Sequence, residues 1–207
     1  MTAQRGVILA VAAMASIVLA SNILVQHLLG DWLTWGALTY PLAFLVTDLT
    51  NRLYGVAAAR RVVFIGFMTG VACSLVASQM VSTEGYPLTT LRIAIGSGVA
   101  FLVAQLLDVA VFDRLRGGAW WRAPLASTLI GSAIDTGLFF FIAFSGTLVA
   151  MDPAQPNAWA REIAPLLGVG SEQPLWISLA VADFGVKLAL ALLALIPFRL
   201  LSARAIG

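Results

Sequence analysis

Asp48, Asn51 and Arg52 close a long apolar run in the segment VTDLTNRLYG, residues 46–55. On a helix Asp48 and Arg52 are an i, i+4 pair and Asn51 lies one turn from Asp48, so all three share a face. Similar residues recur in LVAQLLDVAVFDR (102–114), which supplies Gln105 and Asp108 and, at its end, Asp113 and Arg114. A polar stripe of Ser127 or Thr128, Ser132, Asp135 and Thr136 runs through STLIGSAIDT (127–136). Asp183 and Lys187 stand four apart in ADFGVKL (182–188), as do Asn22 and Gln26 in SNILVQH (21–27), beside Ser21 and His27. Ionisable groups inside a bilayer cost about 2.5–3.5 kcal/mol each on insertion scales, so they neutralise one another or line a wet cavity. Asp48 with Arg52, and Asp183 with Lys187, each have a plain reading as self-neutralising pairs. Both pairs together with Asp108 and Asp135 exceed what packing requires, since leucine would pack more cheaply, and they imply a polar interior.

These residues must be positioned by membrane helices. The 207-residue chain is 60% hydrophobic and 11% charged, against roughly 45–50% and about 25% in soluble domains. A crossing helix needs about 20 mostly apolar residues, and apolar stretches fall near 7–29, 34–54, 62–82, 92–114, 125–149 and 175–201. The expected fold is an all-α integral membrane protein with six transmembrane helices, one membrane domain over 1–207 and no soluble module. Arg5, Arg52, Arg60, Arg61, Arg114, Arg116, Arg122, Arg199 and Arg204 fall at the two termini and in the second and fourth connections. Asp31, Glu84, Asp152, Glu162 and Glu172 fall in the first, third and fifth. Basic residues near helix ends mark the cytoplasmic side, which predicts that both termini lie in the cytoplasm.

The same distribution argues against a nucleic-acid partner, because the arginines are divided among short loops rather than gathered on one face. Arg5, the following apolar core and VLA at 18–20 could pass for a signal peptide. The arginine alternation requires the first helix to start inside, so it is read as a retained span. Cys73 stands alone and His27 is the single histidine, leaving no disulfide framework and little from which to build a transition-metal site. No metal or cofactor is expected. His27 reads as an interfacial histidine, with a pH-sensitive group at the outer mouth as its sharper alternative.

The long fifth connection, 150–174, carries Trp159, Ile163, Leu166 and Leu167 at helical spacing and predicts a short interfacial helix, as an anchor or a lid. AFLVTDL (43–49) echoes AFLVAQL (100–106), aligning Asp48 with Gln105 at similar depth. Ala12, Ser16 and Ala20 form a small-residue row that serves either packing within the bundle or docking of a second copy or an energising partner. Ser97 in IGSGVAF (95–101), with His27 at a similar outer depth, gives an alternative reading as an intramembrane serine hydrolase. No GxSxG pattern supports that reading, and no P-loop pattern makes the chain an ATPase.

SNILVQ (21–26), YPLAFLVTDLTNRLYG (40–55), RIAIGSGVAFLVAQLLDVAVFDRLR (92–116), STLIGSAIDTGLFFFIAFSG (127–146) and ADFGVKL (182–188) resemble the queuosine precursor transporter family, also called the vitamin uptake transporter family. The resemblance implies a six-helix inner-membrane carrier of 7-cyano- or 7-aminomethyl-7-deazaguanine, without enzyme activity. It also implies a fold similar to the substrate-binding subunit of energy-coupling-factor transporters. A second reading is therefore a vitamin-binding subunit of an ATP-driven transporter. A small heterocyclic solute with a guanine-like edge suits carboxylates, which accept paired N–H donors, and amide side chains. Asn22, Gln26, Asp135, Asp183 and Lys187, in the midplane and outer half, are then the expected substrate-binding residues. Asp48, Asn51, Arg52, Gln105 and Asp108 lie deeper and are the expected inner gate or proton-responsive network.

Overall fold

The computed structural model describes residues 3–81, 85–151 and 157–206, with side chains described to residue 203. Glu84, Asp152 and the side chain of Arg204 lie outside the described residues. The chain is mostly helical: α1 (Ala3–Leu24), α2 (Trp35–Thr39), α3 (Leu42–Tyr54), α4 (Val56–Ala77), α5 (Leu91–Leu115), α6 (Arg122–Phe144) and α7 (Leu175–Ile206). Among the described residues, α1, α4, α5, α6 and α7 are long and apolar enough to cross a membrane.

The expected second span, 34–54, is not one continuous helix. It divides into α2 and α3 at Tyr40–Pro41, because Pro41 has no N–H to continue the ladder. The turn tightens there, with Ala43 N–H donating to Tyr40 O at 3.0 Å and Phe44 N–H to Pro41 O at 3.2 Å. With 13 residues and about 1.5 Å of rise per residue, α3 alone is too short to cross. α2 is fixed against the end of α1 by the Ser21–Thr39 hydroxyl bond at 2.8 Å. Gly36 permits that approach, since a Cβ there would lie 3.0 Å from Ser21 O and Val25 Cα.

Other boundaries also shift. α1 ends at Leu24 rather than 29, and the chain turns through a hairpin of β1 (Leu28–Leu29) and β2 (Leu33–Thr34). The expected loop at 55–61 shrinks to Gly55, whose φ of 84° suits glycine. Alanines 57–59 are strong helix formers, so α4 begins at Val56 and carries the exposed Arg60 and Arg61 in its first turns. Among the described residues no α-helix forms near Trp159. A 3₁₀ turn (Ala158–Arg161) is followed by an antiparallel hairpin of β3 (Ile163–Pro165) and β4 (Glu172–Pro174). Pro165, Gly168 and Gly170 interrupt the apolar spacing that suggested a helix.

α5 and α6 form the most extensive helix pair. Gly131 of α6 helps, because a Cβ there would stand 3.3 Å from Ala104 O of α5, and it also admits α3, whose Phe44 Cε1 would lie 2.7 Å away. Met14, Val18, Val62, Val63 and Phe101 form the core shared by α1, α4 and α5, and Phe112, Ala123 and Phe198 a second core where α5, α6 and α7 meet. Ala12 and Ser16 are exposed, so their face of α1 points out of the bundle rather than packing within it. Overpacking a tight contact costs about 1–3 kcal/mol. Gly131→Ala is therefore expected to lower the melting temperature of the detergent-solubilised protein, whereas Gly137→Ala, with nothing within 4 Å of its added Cβ, does not lower it, alanine being the better helix former.

Candidate functional site

Asp135 and Thr136 are adjacent on α6, facing Asp183 and Lys187, one turn apart on α7. Lys187 Nζ donates to Asp135 Oδ2 at 2.7 Å, Asp183 Oδ2 at 2.5 Å and Thr136 Oγ1 at 2.9 Å, which uses all of its N–H groups. The Thr136 hydroxyl donates onward to Asp183 Oδ2 at 2.7 Å. Tyr40, at the α2–α3 break, donates its phenol to Asp135 Oδ1 at 3.1 Å, and Lys187 Nζ lies 5.6 Å from its ring centroid. Both Asp135 oxygens are thus engaged. Asp183 differs: its side chain is 15% exposed, and Oδ1 has no hydrogen-bond partner among the described residues. Two carboxylates around one ammonium leave a formal charge of −1.

Tyr40 also lines a cavity of about 500 Å³ between α1, α4 and α5, with Asn22, Phe67, Ser74, Ser97 and Phe101 among its other walls. That volume falls within the usual range for small-molecule sites, as does a mostly apolar lining with a few polar groups. The Phe101 ring meets Tyr40 edge-on, with centroids 6.0 Å apart. Tyr40 therefore touches the cavity through its ring and the charged cluster through its hydroxyl.

A second polar group lies among α3, α5 and α6. Asp48 Oδ1 accepts from Ser127 Oγ and Oδ2 from Thr128 Oγ1, both at 3.1 Å. Thr47 Oγ1 donates to Gln105 Oε1 at 2.6 Å, and Asn51 Nδ2 to Val109 O at 3.0 Å. The expected Asp48–Arg52 pairing is absent: Arg52 Nη1 instead donates to Arg116 O at 2.9 Å, at the end of α5. An arginine in the last turn of a helix reaches past it, and the carbonyls of a neighbouring helix end attract it. Asp108 is fully buried, and among the described residues neither of its oxygens has a hydrogen-bond partner; Asn51 Oδ1, Gln105 Nε2 and Ser132 Oγ are likewise unpartnered there.

Of the expected substrate residues, Asp135, Asp183 and Lys187 come together. Asn22 lines the cavity, although its Nδ2 is committed to Val18 O at 2.9 Å. Gln26 does not share its face, because α1 ends at Leu24 and Gln26 is exposed in the following turn. Asp48, Asn51, Gln105 and Asp108 do gather in the inner set, while Arg52 joins only the helix-end contacts. Ser97 lines the cavity and His27 is exposed beyond α1, with no hydrogen bond between them.

Sequence reasoning passed over Tyr40, one aromatic among many, and Arg92. Arg92 is buried at the start of α5 and donates through Nε to Ile142 O at 2.6 Å and through Nη2 to Ser145 O, at the end of α6. Its signal was available, since an arginine there breaks the alternation of basic loops and so calls for a buried partner.

The family described as "Putative vitamin uptake transporter" matches residues 34–201. The chain belongs to the vitamin uptake transporter family. Among relatives of this family member is the queuosine precursor transporter of Escherichia coli (strain K12), 36% identical over 194 residues, which is 87% of this chain and 79% of that protein. The probable queuosine precursor transporter of Haemophilus influenzae is 41% identical over 138 residues, 62% of this chain and 57% of that protein. Its counterpart in Bacillus subtilis (strain 168) is 32% identical over 139 residues, 58% of this chain and 60% of that protein. No solved structure matches, so the expected likeness to energy-coupling-factor subunits rests on sequence resemblance alone. Family and helices together make the chain a multi-pass membrane transporter. Its buried Lys187 balances two carboxylates, and breaking such a set costs about 3–5 kcal/mol. Lys187→Met is expected to lower thermal stability strongly, with partial recovery in the Lys187→Met, Asp135→Asn double variant.

Proposed function

We propose that this transporter imports the queuosine precursors 7-cyano-7-deazaguanine and 7-aminomethyl-7-deazaguanine across the inner membrane. The observation that carries this reading is the Tyr40 wall of the cavity, bonded to Asp135 at 3.1 Å. A planar heterocycle in that apolar space stacks against aromatic faces such as Tyr40, Phe67 and Phe101. Its ring N–H and exocyclic amine need an acceptor; Asp183 Oδ1 is the unengaged carboxylate oxygen of the cluster behind Tyr40, and this reading requires the solute to reach it past the Tyr40 ring, because the charged residues themselves do not line the cavity. The formal negative charge of the cluster favours the cationic aminomethyl form. The names of the relatives agree with this solute class.

The fold in this reading has six crossings, with α2 and α3 together forming a broken second one. Broken helices that line a cavity are how transporters accommodate irregular backbone at membrane depth. Arg5, Arg60, Arg61, Arg114, Arg122 and Arg199 lie at helix ends opposite to Asp31, Glu162 and Glu172, which supports cytoplasmic termini. A second reading, a binding subunit driven by a separate ATPase, draws support from the outward-facing Ala12 and Ser16. Co-purification of an ATPase would favour it.

Uptake is tested through queuosine in tRNA of cells that cannot make the precursor, given low external 7-cyano-7-deazaguanine with and without this protein. Queuosine is expected only when the protein is present. A charge-assisted hydrogen bond contributes about 1.5–3 kcal/mol, so Asp183→Asn should raise the external concentration needed on the order of tenfold to a hundredfold. Full uptake by Asp183→Asn, at normal membrane levels, would remove Asp183 from the site.

A further inference from the structure

We propose that Asp48 and Asp108, with the hydroxyls of Ser127 and Thr128, form a binding site for a monovalent cation, a proton or a sodium ion, that is coupled to uptake. This deepens the uptake reading and rests on it for the coupling, although not for the binding.

Three helices converge on the site. α3 contributes Asp48, α5 contributes Asp108, and α6 contributes both hydroxyls, each 3.1 Å from an Asp48 oxygen. Asp108 is a direct electrostatic neighbour of Asp48 and lies beside Ser127. It is fully buried, and neither oxygen finds a donor among the described residues. The nearby basic side chains are committed elsewhere. Arg52 bonds to Arg116 O, Arg116 to Asp113 and to the carbonyls of Asn51 and Arg52, and Lys187 to Asp135 and Asp183. Two carboxylates buried together without a basic partner are costly, and a bound cation removes that cost.

The ligand chemistry favours a small hard cation, since carboxylate and hydroxyl oxygens suit such ions. Ser132 Oγ and Asn51 Oδ1, both buried and unpartnered, add neutral oxygens on the same helices. Among the described residues no group of three or more His, Cys, Asp or Glu side chains that could hold a metal ion occurs. A small cavity of about 10 Å³ is lined by Asp48 and Thr128, by Pro41 and, on α7, by Ala191, Leu195 and Phe198. It has room for about one water-sized particle. No titratable side chain of α7 lines it, and the other carboxylate on α6, Asp135, is held by Lys187. Coupling has a physical carrier in the α2–α3 path, which bears Tyr40 at its break and Asp48 about two turns further on.

The test uses the full-length protein in two arms. Infrared difference spectra of purified protein are recorded on exchanging sodium for choline at constant ionic strength, and separately on raising the pH. A carboxyl band that answers one treatment, is lost in Asp108→Asn and is weakened in Thr128→Val is the expected result, and the effective treatment identifies the cation. Melting curves confirm that both variants are folded. No carboxyl response to either treatment overturns the proposal, whatever the transport result. In proteoliposomes, an inward gradient of the identified cation is expected to accelerate uptake of labelled 7-cyano-7-deazaguanine, with that acceleration lost in Asp108→Asn. Acceleration that persists in Asp108→Asn also overturns it. Absence of precursor exchange by the wild type counts against the uptake reading, and the infrared arm still decides the cation site.

Discussion

The three-point bond of the Lys187 ammonium holds the charged centre of this protein together. It joins α7 to α6 through Asp135 and Thr136, folds back on Asp183 of its own helix, and through Asp135 reaches Tyr40 at the α2–α3 break. An ammonium in a nonpolar surrounding is tolerable only if each N–H has an acceptor and its charge is balanced. Lys187 meets both conditions, which fixes the rotation of α6 and α7 about their axes. The placement of Tyr40 follows, because its phenol must meet the remaining oxygen of Asp135.

Pro41 supplies the complementary constraint. The break it causes leaves α3 short and turns Tyr40 between the cavity and the cluster, where an uninterrupted helix would set each residue by helical phase alone. Gly55 then reverses the chain in a single residue, so α3 and α4 remain neighbours with hardly any loop between them. Arg116 fastens this corner to α5 through the carbonyls of Asn51 and Arg52 at 3.3 and 3.4 Å.

Much of this organisation is legible in the sequence, where local spacing decides the outcome. Asp183 and Lys187 pair as their i, i+4 spacing suggests, since both sit mid-helix and the further partners on α6, Asp135 and Thr136, add to the pair without displacing it. Asp48 and Arg52 have the same spacing and do not pair, because Arg52 is at a helix end with foreign carbonyls in reach and Asp48 meets hydroxyls on α6. Those partners lie 79 and 80 residues away in the chain, beyond any local pattern. The helices follow from hydropathy, but their ends do not. Alanines extended α4, and proline and glycine turned the apolar spacing after Trp159 into a hairpin. The Tyr-Pro break was visible as a dipeptide, yet the apolar run around it reads as continuous.

The polar residues form two groups with opposite electrostatic characters. Around Lys187 the charges are nearly balanced and the hydrogen bonds nearly saturated, a state that is stable without any added ligand. Around Asp108 the carboxylates outnumber the bases and buried oxygens lack donors, a state that a cation improves. A carrier needs both characters: a firm frame that presents a stereospecific surface to its solute, and a group whose energy changes when something binds or leaves. α6 carries Asp135 of the first group and Ser127, Thr128 and Ser132 of the second within three turns, packed against α5 through Gly131. Between the two groups Gly131 is approached by Phe44 of α3 at least as closely as by the Ala104 carbonyl of α5, so one tight contact ties α3, α5 and α6 together and the two groups share a single packed junction.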